Sequence, residues 1–464
     1  MVNLNMTTTL PIGQLRQQLR GAVIVPGDPG YDEARRVFNA MIDKRPALIV
    51  QCADPADVGA AVSFARDHQL LVAVRSGGHS GGGLGVCEGG LVIDLSRMRG
   101  IRVDPAARTA WVEAGCLLKD VDAATHAFGL ALPSGIVAGT GIGGLTLGGG
   151  LGHLTRGYGL TIDNLLGAVV VLADGSYIKV SSTEHADLFW ALKGGGGNFG
   201  VVTSFVFRLH PVESVYAGPI FWPLEDAPVV MRWYREYILS APESVSVFFS
   251  IHSIPAMAPF PEALHGKKVC GLIWCCVDAA AVQPGLAAVR ALAKPLVDHL
   301  GMMPFPVFQG LFDVLLPPGL YGYWKGDFFR ELPDEAIERH MEHAQEMAVG
   351  PSVMHLYPVN GAASRVSPEA TAWNFRDAIW SMVIVGADAD AGQAEEVTRW
   401  TKDYWRALHP YSVGAGYVNF MMDEGVERVR EVYGGHYPRL AAVKAKYDPG
   451  NLFRVNQNIR PADR

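Results

Sequence analysis

Val-Arg-Ser-Gly-Gly-His-Ser (Val74–Ser80) is the stretch from which the rest of this chain is read. Ahead of it, Leu71–Val74 is a short apolar run rich in β-branched residues, the pattern of a buried strand. Gly77 and Gly78 let the backbone turn tightly and present N–H groups free of Cβ obstruction. Arg75 and Ser76 add a cation and a hydroxyl. The run therefore reads as a cradle for a pyrophosphate, with the His79 imidazole held over whatever carries it. A loop histidine beside glycines is also a common turn residue, so the accompanying loops decide.

At 464 residues the chain is too long for one ordinary core, and two domains or one composite unit are expected. Hydrophobic residues make up 49% and charged residues 18%, the balance of a globular protein with ample core. The 46 acidic and 39 basic residues are spread without long runs, which argues against a nucleic-acid partner needing a basic face. Apolar runs such as Leu165–Ala173 fall far short of the roughly 20 residues of a membrane span. Met1–Leu10 lacks the charged start and apolar middle of a secretory signal. The six cysteines show neither a disulfide framework nor metal-ligand spacing, and Cys275-Cys276 sits in an apolar strand pattern. A soluble, reduced, cytoplasmic protein is expected, without metal, as a monomer or homodimer.

Glycine concentrates in three blocks, Gly77–Gly85, Gly135–Gly152 and Gly194–Gly200. Asp54-Pro55 before the first block opens a helix with Val58, Ala61, Phe64 and Ala65 on one face. Strands are expected at Leu91–Leu95, Ile101–Val103 and Ala110–Glu113, then a helix from Leu117 to about Phe128. From Val215 to about Ser412 the texture changes. Strand patterns at Val245–His252, Val269–Val277 and Ala378–Val385 alternate with helical ones at Pro333–Val349 and Ala391–Leu408, as in a sheet with helices on one side. Two helices follow, Glu424–Tyr433 and Tyr437–Tyr447.

Gly139–Gly144 and Gly195–Gly200 both match the dinucleotide fingerprint Gly-x-Gly-x-x-Gly, and Asp163 lies about 20 residues after the first. That fingerprint must follow a strand and open a helix. After Gly144 the run Leu-Thr-Leu-Gly-Gly-Gly-Leu-Gly is expected to resist helix, at about 1 kcal/mol per interior glycine. After Gly200 comes the alternating pattern of a strand, and Asp163 precedes the strand Ala168–Ala173. A flat cofactor lying along a glycine-lined channel fits better than a Rossmann fold.

Arg75–Ser80, Gly-Ile-Gly-Gly-Leu-Thr-Leu-Gly-Gly-Gly-Leu-Gly (Gly141–Gly152), Tyr-Gly-Leu-Thr-Ile-Asp-Asn-Leu (Tyr158–Leu165) and Gly-Gly-Gly-Asn-Phe-Gly-Val-Val-Thr (Gly195–Thr203) resemble the flavin domain of berberine bridge enzyme-like oxidases. These belong to the vanillyl-alcohol oxidase/p-cresol methylhydroxylase (PCMH) group. Tyr-Val-Asn-Phe (Tyr417–Phe420) and the run Tyr447–Ile459 resemble the family's C-terminal element. The resemblance covers roughly residues 40–215 and 410–461. It implies an α+β chain: a two-part PCMH-type FAD-binding domain (1–214), a substrate-binding domain with an antiparallel sheet covered by helices (215–412), and a C-terminal segment (413–464) that completes the FAD domain.

What the resemblance implies for the cofactor is FAD held by Arg75, Ser76, Gly77, Gly78, His79 and Ser80, and by Val137, Gly139, Thr140, Gly143, Gly144, Thr146, Leu147, Gly149 and Gly150. Asn164, Gly196, Asn198, Gly200, Val201, Val202, Tyr417, Asn419 and Asn456 complete the implied set. His79 sits where the family attaches the flavin 8α-methyl group, which raises the flavin potential and prevents cofactor loss. Many relatives add a cysteinyl link, but that position here is Val137, so a single covalent bond is expected. Thr140 matches a residue that gates oxygen in relatives. Valine-sized side chains there admit oxygen and leucine blocks it.

The implied chemistry removes hydride from a C–H beside an O–H or N–H of a small molecule to the flavin N5 and then to oxygen, giving hydrogen peroxide, while a base takes the proton. Tyr417 matches a residue lying over the flavin in relatives, or is a structural tyrosine. His153 and His252 are weaker candidates for that base and read rather as packing or hydrogen-bonding histidines, with His252 the next to test after Tyr417, and Trp324 and Lys325 read as structural or lining the pocket. A dehydrogenase with another acceptor, or a flavin-binding protein with little turnover, are the competing readings. Fold does not name the substrate among sugars, hydroxylated alkaloids, aromatic alcohols and late antibiotic intermediates, and the aromatic residues of the middle region (Trp222, Phe248, Phe249, Tyr321, Tyr323 and Trp380) weakly favour a ring-bearing or sugar substrate.

Overall fold

The alternation and branching of Val72–Arg75 place it in a strand, one residue later than Leu71–Val74. In this computed structural model, which describes residues 10–463, it pairs in parallel with Leu91–Asp94 and that strand with Leu48–Gln51. Ala22–Ile24 closes the small sheet antiparallel. The expectation about a leader falls largely on residues 1–9, outside the described ones. Pro55–Asp67 is the helix that Asp54 was expected to open. The Asp54 carboxylate accepts from the Ala56 and Asp57 N–H groups, and Val58, Ala61 and Ala65 are fully buried.

A second sheet, antiparallel throughout, has the order Ile101–Asp104, Thr109–Glu113, Val201–Arg208, Leu165–Val171, Tyr177–Ser181. The run after Gly200 is thus the expected strand. The run after Gly141 is not what was expected, because Ile142–Gly148 is helical. Tertiary contact overrides the low propensity of its glycines. A Cβ on Gly148 would lie 2.2 Å from Asn419 Oδ1 and one on Gly143 3.0 Å from the Ala114 carbonyl oxygen, so larger residues would displace Asn419 or crowd that carbonyl. The Rossmann reading still fails. The short strand nearest before the helix, Leu130–Ala131, pairs antiparallel with His210–Pro211, and Asp163 forms an ion pair (2.7 Å) with buried Arg376.

The middle of the chain forms one large antiparallel sheet, ordered Val297–Asp298, Ser214–Pro223, Lys268–Cys276, Val245–Ser253, Val353–Pro358, Trp380–Asp388, Tyr321–Phe329, with Gly301–Pro304 also on Ser214–Pro223. Helices Ala227–Ser240, Gln283–Leu292, Asp334–Glu346 and Ala394–Leu408 lie on one face over Trp222, Trp274 and Trp380, with Tyr404 of the last helix in the same core. The other face carries Phe221, Phe248, Ile273 and Val383 and packs on Leu151, Leu160 and Ile162 of the glycine-rich part. From Met421 the tail returns to the first core through Val429, Val432, Leu440 and Phe453. All six cysteines are free and buried. Among the described residues no cluster could hold a metal, and no helix is long and apolar enough to cross a membrane.

Candidate active site

Where the glycine-rich part faces the large sheet, a cavity of about 320 Å³ opens, within the usual range for small-ligand pockets. Its floor is made by two loops that cross backbone to backbone. A Cβ on Gly77 would lie 2.5 Å from the Gly141 nitrogen, and one on Gly141 2.2 Å from the Gly77 nitrogen. Glycine is required at both positions. Ser76 locks the crossing, its hydroxyl donating to the Ala114 carbonyl (2.5 Å) and accepting from the Gly143 N–H (3.3 Å). Gly78, at φ +68, then turns the chain so that His79 meets the cavity.

His79 stacks on Phe38 with ring centroids 3.9 Å apart. Its Nε2 is shielded from solvent and has no partner among the described residues, and burial pulls the imidazole pKa down to about 4. The ring is therefore neutral near pH 7, with a nitrogen lone pair available. Arg75 lines the cavity with an ion pair of its own. Its guanidinium pairs with Asp94 at 2.7 Å, the residue directly opposite in the parallel register, so its charge is already matched.

The third wall is a loop clamped by the tail. Asn198 Nδ2 donates to the Gly195 and Gln457 carbonyls, and Asn198 Oδ1 accepts from the Ile459 N–H. Asn456 Nδ2 donates to the Gly197 carbonyl. Beneath them lies Lys444, fully buried, donating to Asp448 (2.7 Å) and to the Asn198 and Phe453 carbonyls. Lys444→Met leaves the Asp448 carboxylate buried and unmatched. It is expected to lower stability by about 3–5 kcal/mol, read as a depressed unfolding midpoint in denaturant. An unchanged midpoint would mean that the pair holds nothing together.

Tyr417 enters from the tail. Its hydroxyl accepts from the Gly150 N–H and from Asn419 Nδ2, both at 2.8 Å, and its ring packs on Trp373 and Phe420. Burial pushes its pKa up to about 12, against the lowering effect of those two bonds.

Of the expected residues, Arg75–Ser80, Val137, Thr140, Gly143, Gly144, Leu147, Gly196, Asn198, Gly200, Val201, Val202, Tyr417, Asn419 and Asn456 line this cavity. Gly139, Thr146, Gly149, Gly150 and Asn164 stand off its wall. Asn164 bonds the Tyr158 and Leu160 carbonyls and His210, which fixes a turn. Gly149 packs under Trp373, and Gly150 serves the cavity only through Tyr417. His153 lies among Phe248, Phe308 and Phe312, and His252 against Phe221, neither on the wall. Trp324 does line the cavity, whereas Lys325 pairs with Glu424. The sequence reading passed over His355 and Tyr357. The spacing of two in Met-His-Leu-Tyr, which puts both on one face of a strand, was the available signal.

These residues suit a flat dinucleotide. Gly144 and Gly197 line the cavity, and a Cβ on either would meet nothing within 4 Å, so that space is left to a ligand. An orphaned neutral imidazole beside a glycine-lined trough fits the flavin site that the sequence motifs imply. The comparisons agree. Residues 46–181 match the FAD binding domain family and residues 416–460 the family described as berberine and berberine like. The FAD-linked oxidoreductase pgmH of Aspergillus terreus is 43% identical over 97% of this chain and 96% of its own. The (R)-6-hydroxynicotine oxidase of Paenarthrobacter nicotinovorans is 30% identical over 96% and 97%. A crystal structure of 6-hydroxy-D-nicotine oxidase from Arthrobacter nicotinovorans superposes with a TM-score of 0.86 at 27% identity, over 96% of this chain and 98% of that one. The chain belongs to the berberine bridge enzyme-like FAD-linked oxidoreductases.

Proposed function

We propose that this enzyme is an oxidase carrying FAD on a single covalent bond to His79, which oxidises a C–OH or C–N group of a small molecule and returns the electrons to oxygen as hydrogen peroxide. The observation that carries the reading is the buried, unpartnered and neutral Nε2 of His79 on the cavity wall. A neutral imidazole nitrogen is the form that can bond to carbon. FAD, when bound, supplies the hydride acceptor and the route to oxygen. Arg75–Ser80, the loop through Thr140 and the clamped Gly195–Gly200 segment bind and orient it. Tyr417 addresses the substrate's proton from above.

A second link through cysteine is not part of the proposal. Val137 lines the cavity at the position in question, and the nearby Cys116 thiol is turned toward the Gly100 carbonyl. A peroxide-coupled screen of alcohols, sugars and cyclic amines on the purified protein tests the activity. Turnover with an artificial acceptor but none with oxygen would favour a dehydrogenase.

Thr140 supports the oxygen assignment. It lines the cavity, its N–H bonding the Val137 carbonyl and its own carbonyl the Leu118 N–H, so the side chain is held at the wall. Thr140→Leu adds bulk there without disturbing those bonds. Air reoxidation after anaerobic reduction is expected to slow about tenfold or more, with the reduction step nearly unchanged. Equal reoxidation rates in the two proteins would remove Thr140 from the path of oxygen.

A further inference from the structure

The cavity has two unlike halves. The glycine loops and the tail form one. The inner face of the large sheet forms the other, and its side chains come from strands that no local pattern brings together. Trp324, Val385 and Val353 stand in one row across three neighbouring strands, and Val383 and His355 in the next. Tyr357 follows on the same face, and Leu316 and Phe420 close the ends.

The charge of this wall is informative. Among the described residues no aspartate, glutamate or lysine lines the cavity, and its one cation, Arg75, is already paired with Asp94. His355 is buried, and burial together with His252 and His153 pulls its pKa down to about 3, so it is neutral. An ammonium substrate would find no carboxylate, and a carboxylate substrate no free cation. Desolvating either against this wall is unfavourable.

The polarity is informative as well. His355 Nδ1 and Tyr357 Oη lie 2.6 Å apart. Whichever atom carries the shared proton, the phenol keeps a hydrogen-bonding position for one more hydroxyl. Tyr417 adds a single donor, its own proton, because its two acceptor positions are taken by Gly150 and Asn419. A sugar bears a hydroxyl on nearly every carbon, and most would be buried here without partners. Three rings (Trp324, Tyr357 and Phe420) and four branched aliphatic side chains (Val353, Val383, Val385 and Leu316) instead match a flat apolar body.

The geometry points to a neutral, flat, hydroxylated aromatic compound as the ligand of this half, its hydroxyl received by the Tyr357–His355 pair. The inference rests on reading the cavity as an FAD-and-substrate site, and it narrows the substrate class for that site.

The test is a binding titration of the yellow holoprotein, read in the visible absorption of the flavin and independent of turnover, with 2-naphthol as the probe. Saturable perturbation at sub-millimolar 2-naphthol is expected, with 2-methoxynaphthalene, which cannot donate, about tenfold weaker. Cellobiose and 2-naphthylmethylammonium should give no saturable change over the same range. Tyr357→Phe should cut the affinity for 2-naphthol about tenfold and leave that for 2-methoxynaphthalene unchanged. If that variant does not fold, the ligand series on the wild type decides alone. Cellobiose or the ammonium binding as tightly as 2-naphthol, or no saturation by 2-naphthol, overturns the inference. A protein that purifies without FAD refutes the functional reading instead. Tryptophan fluorescence, with Trp324→Phe as control, then reads the same titration.

Discussion

His79→Ala is expected to lose all of its flavin on acid denaturation, while the wild-type chain stays yellow and fluoresces in a gel. The contrast is all or none, the largest effect this site offers. Its basis is local. The Nε2 of His79 is shielded and unpartnered, an arrangement that costs stability unless the nitrogen bonds to something. Stacking on Phe38 at 3.9 Å fixes the ring plane, so the nitrogen points one way. Alanine removes the nitrogen but leaves Gly77, Gly78 and the Ser76 crossing intact, so the variant should fold and bind FAD loosely. Wild-type protein that releases its flavin completely into acid supernatant would falsify the covalent bond. A proteolytic peptide linked to flavin through both His79 and a cysteine would separately refute the single link.

The glycine loops were legible in the sequence because their residues answer to the backbone. Gly77 and Gly141 leave each other no room for a Cβ, and such positions read as glycine from the chain alone. The strand after Gly200 and the helix after Asp54 were legible through alternation and capping. The ion pair of Arg75 was not legible, for want of register. Its match to Asp94 depends on two parallel strands lying side by side, which the eighteen intervening residues do not announce. The helix over Ile142–Gly148 was missed because propensity is local, whereas its glycines fit the Ala114 carbonyl and Asn419. His355 and Tyr357 were passed over for a related reason. Their partners in the wall, Val383 and Trp324, come from strands before and after them in the chain. Only the sheet order brings the three strands together.

Tyr417→Phe is expected to slow anaerobic flavin reduction by roughly 10²-fold or more, with flavin content unchanged. The structure decides in which form the tyrosine acts. With a pKa pushed up to about 12, holding the phenolate at pH 7 would cost on the order of 7 kcal/mol, at about 1.4 kcal/mol per unit, and among the described residues no cation acts on it to offset that. The ionised base is therefore set aside, and the hydroxyl works neutral. At rest it accepts from Gly150 and Asn419, which leaves its own proton to donate. To receive a proton it must first give up one of those bonds. Asn419 can release it, because the same amide nitrogen also reaches the Leu145 and Gly144 carbonyls, at 3.2 and 3.4 Å. The phenylalanine keeps the packing on Trp373 and Phe420 and removes only this exchange. A neutral relay also predicts that the rate of reduction shows no ionisation of Tyr417 around neutral pH. If the phenylalanine protein reduces its flavin within a few-fold of wild type, the proton leaves by another route. His252, the alternative the sequence suggested, does not line the cavity, so the neutral imidazole of His355, at the wall and 2.6 Å from Tyr357 Oη, becomes the group to substitute next.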